Sequence, residues 1–480
     1  MKTLIGLEIH VELKTDRKMF CDCKNTFGDD PNVNTCPACL GMPGALPRIN
    51  NRAIEFAVMA GLAFNCDIDR TIKMDRKNYF YPDLVKGYQI SQDDRPICQN
   101  GYVEIDVDGK KKKIGLIRIH MEEDTGKALH MQDNTTLMDY NRAGVPLIEI
   151  VTKPDIESGK EARAFIEKLR ETLTELGVSD CKMAEGSLRC DCNINIVDGD
   201  FKTEITEVKN IGSTRSVEAA LNFEEERHKK MVEQRERGQK DTRRFDESKG
   251  ETVLMRVKTT KDDYRFAYEG DIPIFELEEE FIENIKKSLP ELPDERRERL
   301  KKNYNLSDYD TNVIGSNKNL SDYFEKVQKA TGDVSLTSNW IINELLRRLN
   351  EDETLIEDLK FGVDDFSYLL GLIKEEKINN NTAKKVFKEM FDEGTSPKEI
   401  IKRDGLIQIS DEGAILDIVL EVIKENPQSI EDIKQGKDRA LGFLVGQVMK
   451  KSKGKANPGV VNKLLKEEIE KNGSIISMGE

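Results

Sequence analysis

The chain holds only four histidines in 480 residues, which leaves no material for a histidine-rich catalytic centre. No Ser-His-Asp or Cys-His constellation is visible. There is no G-x-x-x-x-G-K-[ST] loop and no G-x-G-x-x-G following a strand, so any ATP chemistry must proceed without a P-loop or a dinucleotide fold. No apolar run approaches the ~20 residues needed to span a bilayer. Glu8 and His10 interrupt the apolar stretch near the start, so no targeting segment is expected there. Internal repeats and low-complexity segments are also missing. These absences predict no membrane association. The nine cysteines, an odd number in a large chain, suit reduced thiols and a cytoplasmic location.

What is present is ordinary globular material. Hydrophobic residues make up 37% and charged residues 34%, which excludes a disordered chain. The length suits two to four domains. A net charge of −15 and a pI near 5.2 argue against nucleic-acid binding by the whole surface, but leave room for a local basic patch.

Periodicity predicts an α+β protein: a large mixed-sheet domain, then an all-α helical domain, then a small helical tail. Up to about residue 290, short strands are expected at Gly101–Val107, Gly115–Met121, Pro146–Val151 and Cys192–Val197. Helices are expected at Asn51–Phe64, Gly159–Leu176 and Arg215–Gly238. After Pro290–Leu300 strand signals vanish. Helical segments follow at Asp322–Ala330, Thr337–Leu349, Val363–Glu375 and Thr382–Glu393. A second break falls at Asp404–Gly413. The expected domains are therefore 1–290, 291–404 and 405–480.

Four clusters carry chemistry. In Leu4–Leu13, "LIGLEIHVEL", the odd positions are apolar and the even ones read Gly6, Glu8, His10, Glu12. Taken alone, the strand reads slightly better as an edge strand with one wet face. Glu-x-His-x-Glu also suits metal-ligand or acid–base work. "HMEEDTGK" adds Glu122, Glu123 and Asp124 just past an apolar strand, and Glu149 sits inside one. A carboxylate there is costly to bury unless it meets a cation, and carboxylates with one imidazole suit Mg²⁺ or Mn²⁺. Separate ion pairs with Arg or Lys would also satisfy them.

Cys21 and Cys23 form C-x-C, and Cys36 and Cys39 form C-P-x-C. Two closely spaced pairs joined by a loop rich in Asp, Asn and Gly are the pattern of a four-thiolate Zn²⁺ site. Four protein ligands leave no open position, so the zinc should be structural. "EGSLRCDCNINI" puts Ser187, Arg189, Asp191, Asn193 and Asn195 on one strand face, a mixture able to hold a nucleotide or simply to face water. In "DRKNYFYPDLVKGYQISQ", Arg76 and Lys77 could meet phosphate, while Tyr79 and Tyr81 could stack on a base or pack on the core.

These motifs, with "FCDC…CPACLGMPGALP", "NRAGVPLIEIV" and "ALGFLVGQVMKKSKGKANPGVVNKLL", occur in an order that resembles the B subunit of Asp/Glu-tRNA amidotransferases over essentially the whole length. The resemblance implies a cradle domain that phosphorylates the side-chain carboxylate of a mischarged tRNA with ATP. Ammonia would come from a glutaminase partner, the A subunit. A small C subunit would fasten the two into a heterotrimer. The resemblance assigns Mg²⁺ to Glu8, His10, Glu123 and Glu149. It assigns the nucleotide and phosphates to Lys77, Ser187, Arg189, Asp191 and Asn193, and the tRNA body to Lys450, Lys451, Lys453 and Lys455. Two stretches depart from the family pattern, "DYRFAYEGDIP" (Asp263–Pro273) and "KNIGS" (Lys209–Ser213). The competing readings are a zinc-stabilised tRNA-binding protein without ATP turnover and a metal-dependent hydrolase of small molecules.

Overall fold

Period-2 patterning becomes architecture in the first strand, β1 (Lys2–Glu12). Ile5, Leu7, Ile9 and Val11 are at most 1% exposed, while Gly6, Glu8, His10 and Glu12 are only partly covered. The computed structural model describes residues 1–257, 265–407, 412–434, 438–452 and 456–476. Six further strands build most of the spine of an 11-stranded sheet: β2 (Lys110–Glu123), β3 (Pro146–Thr152), β4 (Leu188–Asp198), β5 (Thr206–Lys209), β6 (Asp241–Asp246) and β7 (Glu251–Val257). Across the sheet the order is β7-β6-β5-β4-β1-β3-β2, continued beyond β2 by the short strands Cys98–Gln99 and Asp67–Ile68. Within this spine only β5 and β6 run parallel. β1 is hydrogen-bonded on both sides, to β3 and β4, so it is a central strand and not an edge.

One face of the sheet carries the core. Its residues pack with helices α1 (Asn51–Ala63), α2 (Gly159–Glu175) and α3 (Thr214–Glu233). Each helix starts where a capping side chain satisfies an orphan N–H. Asn50 accepts from Arg52 N at 2.9 Å, Ser158 from Glu161 N at 3.2 Å and Ser213 from Ser216 N at 3.1 Å. Phe165, Ile166 and Leu169 of α2 and Val217 and Leu221 of α3 are fully buried there. With all three helices packed into that core, the opposite face of β1 and its neighbours remains polar. A small sheet of Asp75–Asn78, Tyr88–Ser91 and Arg265–Tyr268 docks at the end of β2, where Gln89 donates to Glu123 O at 2.6 Å. The departure at Asp263–Pro273 supplies its strand Arg265–Tyr268; Asp263 and Tyr264 lie outside the described residues.

The chain divides into two units, Met1–Pro293 and Asp294–Glu480. The first is the mixed sheet with its helices. Every secondary-structure element of the second is helical among the described residues. The α+β expectation therefore holds. Apolar side chains of the second unit gather into two groups, one from Leu300 to Ile401 and one from Ile415 to Ile469. The helix expected at Thr337–Leu349 exists but is interrupted, since Ile341–Leu345 forms a π-helical turn between Val334–Trp340 and Leu346–Glu351.

Candidate cation and nucleotide site

Strand register assembles the site. His10 lies opposite Arg189 of β4 on one side and Glu149 of β3 on the other, and Glu149 lies opposite His120 of β2. One row across four strands thus reads Arg189, His10, Glu149, His120. Glu122, two residues beyond His120, shares its parity and reaches the same point. His10 Nε2 is 3.2 Å from Glu122 Oε1 and 3.7 Å from Glu149 Oε2. His120 Nε2 is 3.1 Å from Glu149 Oε2 and 3.8 Å from Glu122 Oε2. Glu122 is 1% exposed and His120 is 3% exposed.

Two imidazoles interleaved with two buried carboxylates tune one another. Burial alone would lower the His120 pKa, but the Glu122 and Glu149 carboxylates more than offset it and raise it to about 9. Burial likewise opposes His10 protonation, and Glu122 and Glu149 again win, so its pKa rises. Burial would push Glu122 up, yet hydrogen bonds from both histidines hold it well below the usual carboxylate range. The ligand atoms of His10, Glu122 and Glu149 lie within 4.8 Å of one another. This buried oxygen-rich donor set fits a hard divalent cation.

Arg189, His10 and Glu149 of this row, with Glu122, form part of the lining of a cavity of about 940 Å³. Lys77, Asp191, Asn193 and Lys209 line it too. A second group, Glu8, Asp191 and Glu207, also brings its oxygens within 4.8 Å of one another. Glu8 accepts from Asn193 Nδ2 at 3.0 Å, and burial, with Glu149 and Asp191 nearby, raises its pKa. Lys209 Nζ spans Asp191 at 2.6 Å and Glu207 at 3.3 Å.

Several expected positions move. Glu123 does not join the His10 group. It has the parity of Ile119 and Met121, so its carboxylate lies on the other face, where it meets Lys86 and accepts from Ile90 N at 2.9 Å. Glu122 takes its place. Glu8 stands with Asp191 and Glu207 instead of with His10. Ser187 precedes β4 and does not line the large cavity; its hydroxyl bonds Asp180 and receives Lys182 N at 2.8 Å. Arg189 is clamped on Asp124 at 2.7 Å. Arg76 is committed to Glu269 and Asp271 and stacks on Tyr88, whereas Lys77 and Tyr79 face the cavity. Tyr81 is exposed and lies outside that lining. Lys209 and Asn210 of "KNIGS" line the cavity, and Ser213 caps α3.

The four cysteines converge: the Sγ atoms of Cys21, Cys23, Cys36 and Cys39 lie within 4.8 Å of one another, and all are free thiols. The donor set fits tetrahedral zinc. A hydrogen bond from Cys21 holds Cys39 down at about 5. Buried Lys18 donates to Asn34 O at 2.7 Å and Tyr140 O at 3.2 Å, and its Nζ lies 3.9 Å from Cys39 Sγ. Four thiolates around a Zn²⁺ held there would carry net negative charge, which this ammonium would offset in part.

Lys450 is exposed at the end of the helix Asp438–Lys451, and Lys451 pairs with Glu421 and Glu425. Lys453 and Lys455 lie outside the described residues. No helix among the described residues is long and apolar enough to cross a membrane. Sequence reasoning missed His120 and Glu207. His120 and Glu122 share a face only because the strand runs on to Glu123, past its expected stop at Met121; nothing local pointed to Glu207.

Residues 3–283 match the family model described as GatB/GatE catalytic domain, and residues 322–469 match that described as GatB domain. A Finegoldia magna protein, described as the B subunit of aspartyl/glutamyl-tRNA(Asn/Gln) amidotransferase, is 54% identical over 98% of this chain and 100% of its own length. Proteins of the same description from Clostridium tetani and Clostridium botulinum are 48% and 49% identical, each over 98% of this chain and 99% of their own length. The chain belongs to the family of Asp/Glu-tRNA(Asn/Gln) amidotransferase B subunits.

Proposed function

We propose that this component of a glutamine-dependent tRNA amidotransferase, a carbon–nitrogen ligase, carries the kinase and amidation centre of its complex. The observation behind this reading is the buried His10, Glu122, Glu149 set at the floor of a cavity large enough for a nucleotide. The substrate is Glu-tRNA(Gln), Asp-tRNA(Asn) or both. A side-chain carboxylate oxygen attacks the γ-phosphorus of ATP, ADP leaves, and an acyl phosphate forms. Ammonia from a glutaminase partner, the A subunit, attacks the acyl carbon, and phosphate departs with the old oxygen. A small C subunit holds the heterotrimer together.

His10, Glu122 and Glu149 would hold Mg²⁺, which when bound supplies positive charge against the phosphates. The protein's own contribution is positioning and electrostatics. Lys77 and Lys209 bring positive charge to the cavity wall, and Arg189 is held rigid by Asp124. His120 buttresses Glu149 from the side away from His10. Zn²⁺ on Cys21, Cys23, Cys36 and Cys39 would stiffen the loop beside β1, and exposed tail lysines such as Lys450 would meet tRNA phosphates. The complex would work in the cytoplasm.

The test is ADP release by the chain co-expressed with its partner chains, comparing uncharged tRNA, Glu-tRNA(Gln) and Asp-tRNA(Asn). Release should require a mischarged tRNA and collapse in His10→Ala. tRNA binding without any release would leave the chain as a binding scaffold.

A further inference from the structure

We propose that Glu12 is the specificity-determining residue that recognises the α-ammonium group of the aminoacyl ester. The inference rests on the proposed function, because it takes the reacting carboxylate to lie at the His10, Glu122, Glu149 set. Glu12 is the last residue of β1 and has the parity of His10. Its backbone is fixed there, with its N–H donating to Ser187 O at 2.9 Å.

Every other carboxylate of this polar face is engaged. Glu8 accepts from Asn193, Asp191 pairs with Lys209, Asp124 with Arg189, Glu122 with His10 and Glu149 with His120. Among the described residues no side chain hydrogen bonds to the Glu12 carboxylate or pairs with it. It faces a second cavity, of about 340 Å³. The two cavities share no lining residue, and their walls meet at one ion cluster. Arg189 and Asp124 line the large one, and Arg142, whose Nε is 3.7 Å from Asp124 Oδ2, lines the small one.

Spacing identifies the ligand. Same-face residues two apart on a strand are separated by about 7 Å. In an esterified glutamate the α-nitrogen is four bonds from the side-chain carboxyl carbon, about 5 Å when extended. In aspartate it is one bond less. With the reacting carboxylate near His10, the α-ammonium falls within hydrogen-bonding reach of Glu12. Arg189 and Arg142 act on this carboxylate only through space, without a hydrogen bond, so an ammonium within reach would be its first direct partner. The ester bond leaves that ammonium as the substrate's own positive group, so a carboxylate at this distance selects an α-amino acid with a side-chain acid.

The experiment uses the full complex at saturating ammonium chloride, reading ADP release from Glu-tRNA(Gln) and from its N-acetyl derivative, which lacks the positive charge. Wild type should favour the free-amino substrate by about tenfold or more in kcat/KM, the worth of one charge-assisted hydrogen bond. Glu12→Gln should lose most of that preference by losing activity only on the free-amino substrate, with the KM for ammonium unchanged. Equal use of both substrates by wild type would overturn the assignment without any variant. So would a preference that survives in Glu12→Gln, an equal loss on both substrates, or a raised KM for ammonium, which would give Glu12 to the nucleophile. Absence of ADP release from wild type with every mischarged tRNA would instead sink the proposed function.

Discussion

Neighbouring residues Glu122 and Glu123 should give opposite defects when each is replaced by glutamine. Glu122→Gln removes an oxygen that stands 3.2 Å from His10 Nε2, in the set whose ligand atoms lie within 4.8 Å of one another. Losing even a residue that only orients a ligand costs about 10–100-fold in metal affinity, and losing a ligand oxygen should cost no less. Glu123→Gln leaves that set intact and removes the counter-charge of Lys86, whose side chain is 8% exposed. Stranding one member of a buried ion pair costs about 3–5 kcal/mol, several degrees in Tm for a unit of this size. Mn²⁺ titration followed by electron paramagnetic resonance, paired with thermal denaturation, separates the two. Glu122→Gln should raise the Mn²⁺ Kd by about tenfold or more, while Glu123→Gln should lower Tm and leave the Kd nearly unchanged. A Glu123→Gln protein that loses Mn²⁺ as fully as Glu122→Gln would refute the division of the two carboxylates between opposite faces.

Zinc should be present at about one ion per purified chain by elemental analysis; its removal by chelation, or Cys36→Ser, should lower Tm, and an unchanged Tm with no zinc would defeat the four-thiolate reading. Burial, reinforced by Asp124, raises Glu12 from 4.5 to about 7. The folded state therefore binds more protons than the unfolded state between those values, and stability falls as pH rises through that window. Glu12→Gln should be about 1–3 kcal/mol more stable than wild type at pH 8 and close to it at pH 4, measured by denaturant melts of the metal-free chain; a pH-independent difference would count against this. In the tail, Lys451 is already held by Glu421 and Glu425. Lys450→Ala should therefore weaken tRNA binding more than Lys451→Ala and reduce the slope of log K against log salt by about one; equal effects would remove the distinction.

Much of this protein is legible in the chain because its signals are local. The alternation of "LIGLEIHVEL" assigns Ile5, Leu7, Ile9 and Val11 to the core and Glu8, His10 and Glu12 to a polar face, and the structure buries them accordingly. The helices at Asn51–Ala63, Gly159–Glu175 and Val363–Lys374 begin where periodicity puts them and end within one residue of it. The pairing of Cys21 and Cys23 with Cys36 and Cys39 requires only that one loop fold back.

The remainder depends on which strands become neighbours, and that is a property of the whole sheet. Whether β1 is an edge or a centre depends on β3 and β4, contributed by segments more than a hundred residues away. The strand expected at Gly115–Met121 continues to Glu123. With the shorter strand, parity could not be extended to the three acids after His120; the longer one sends Glu122 to His10 and Glu123 to Lys86. Glu8 and His10 look alike as acid and imidazole on one face. Register alone gives Glu8 to Asp191 and Glu207, and His10 to Glu122 and Glu149. By itself the sequence determined which side chains face away from the core, since side-chain direction follows from backbone period. Tertiary structure decided which of them meet, since meeting is set by long-range register that no local pattern encodes.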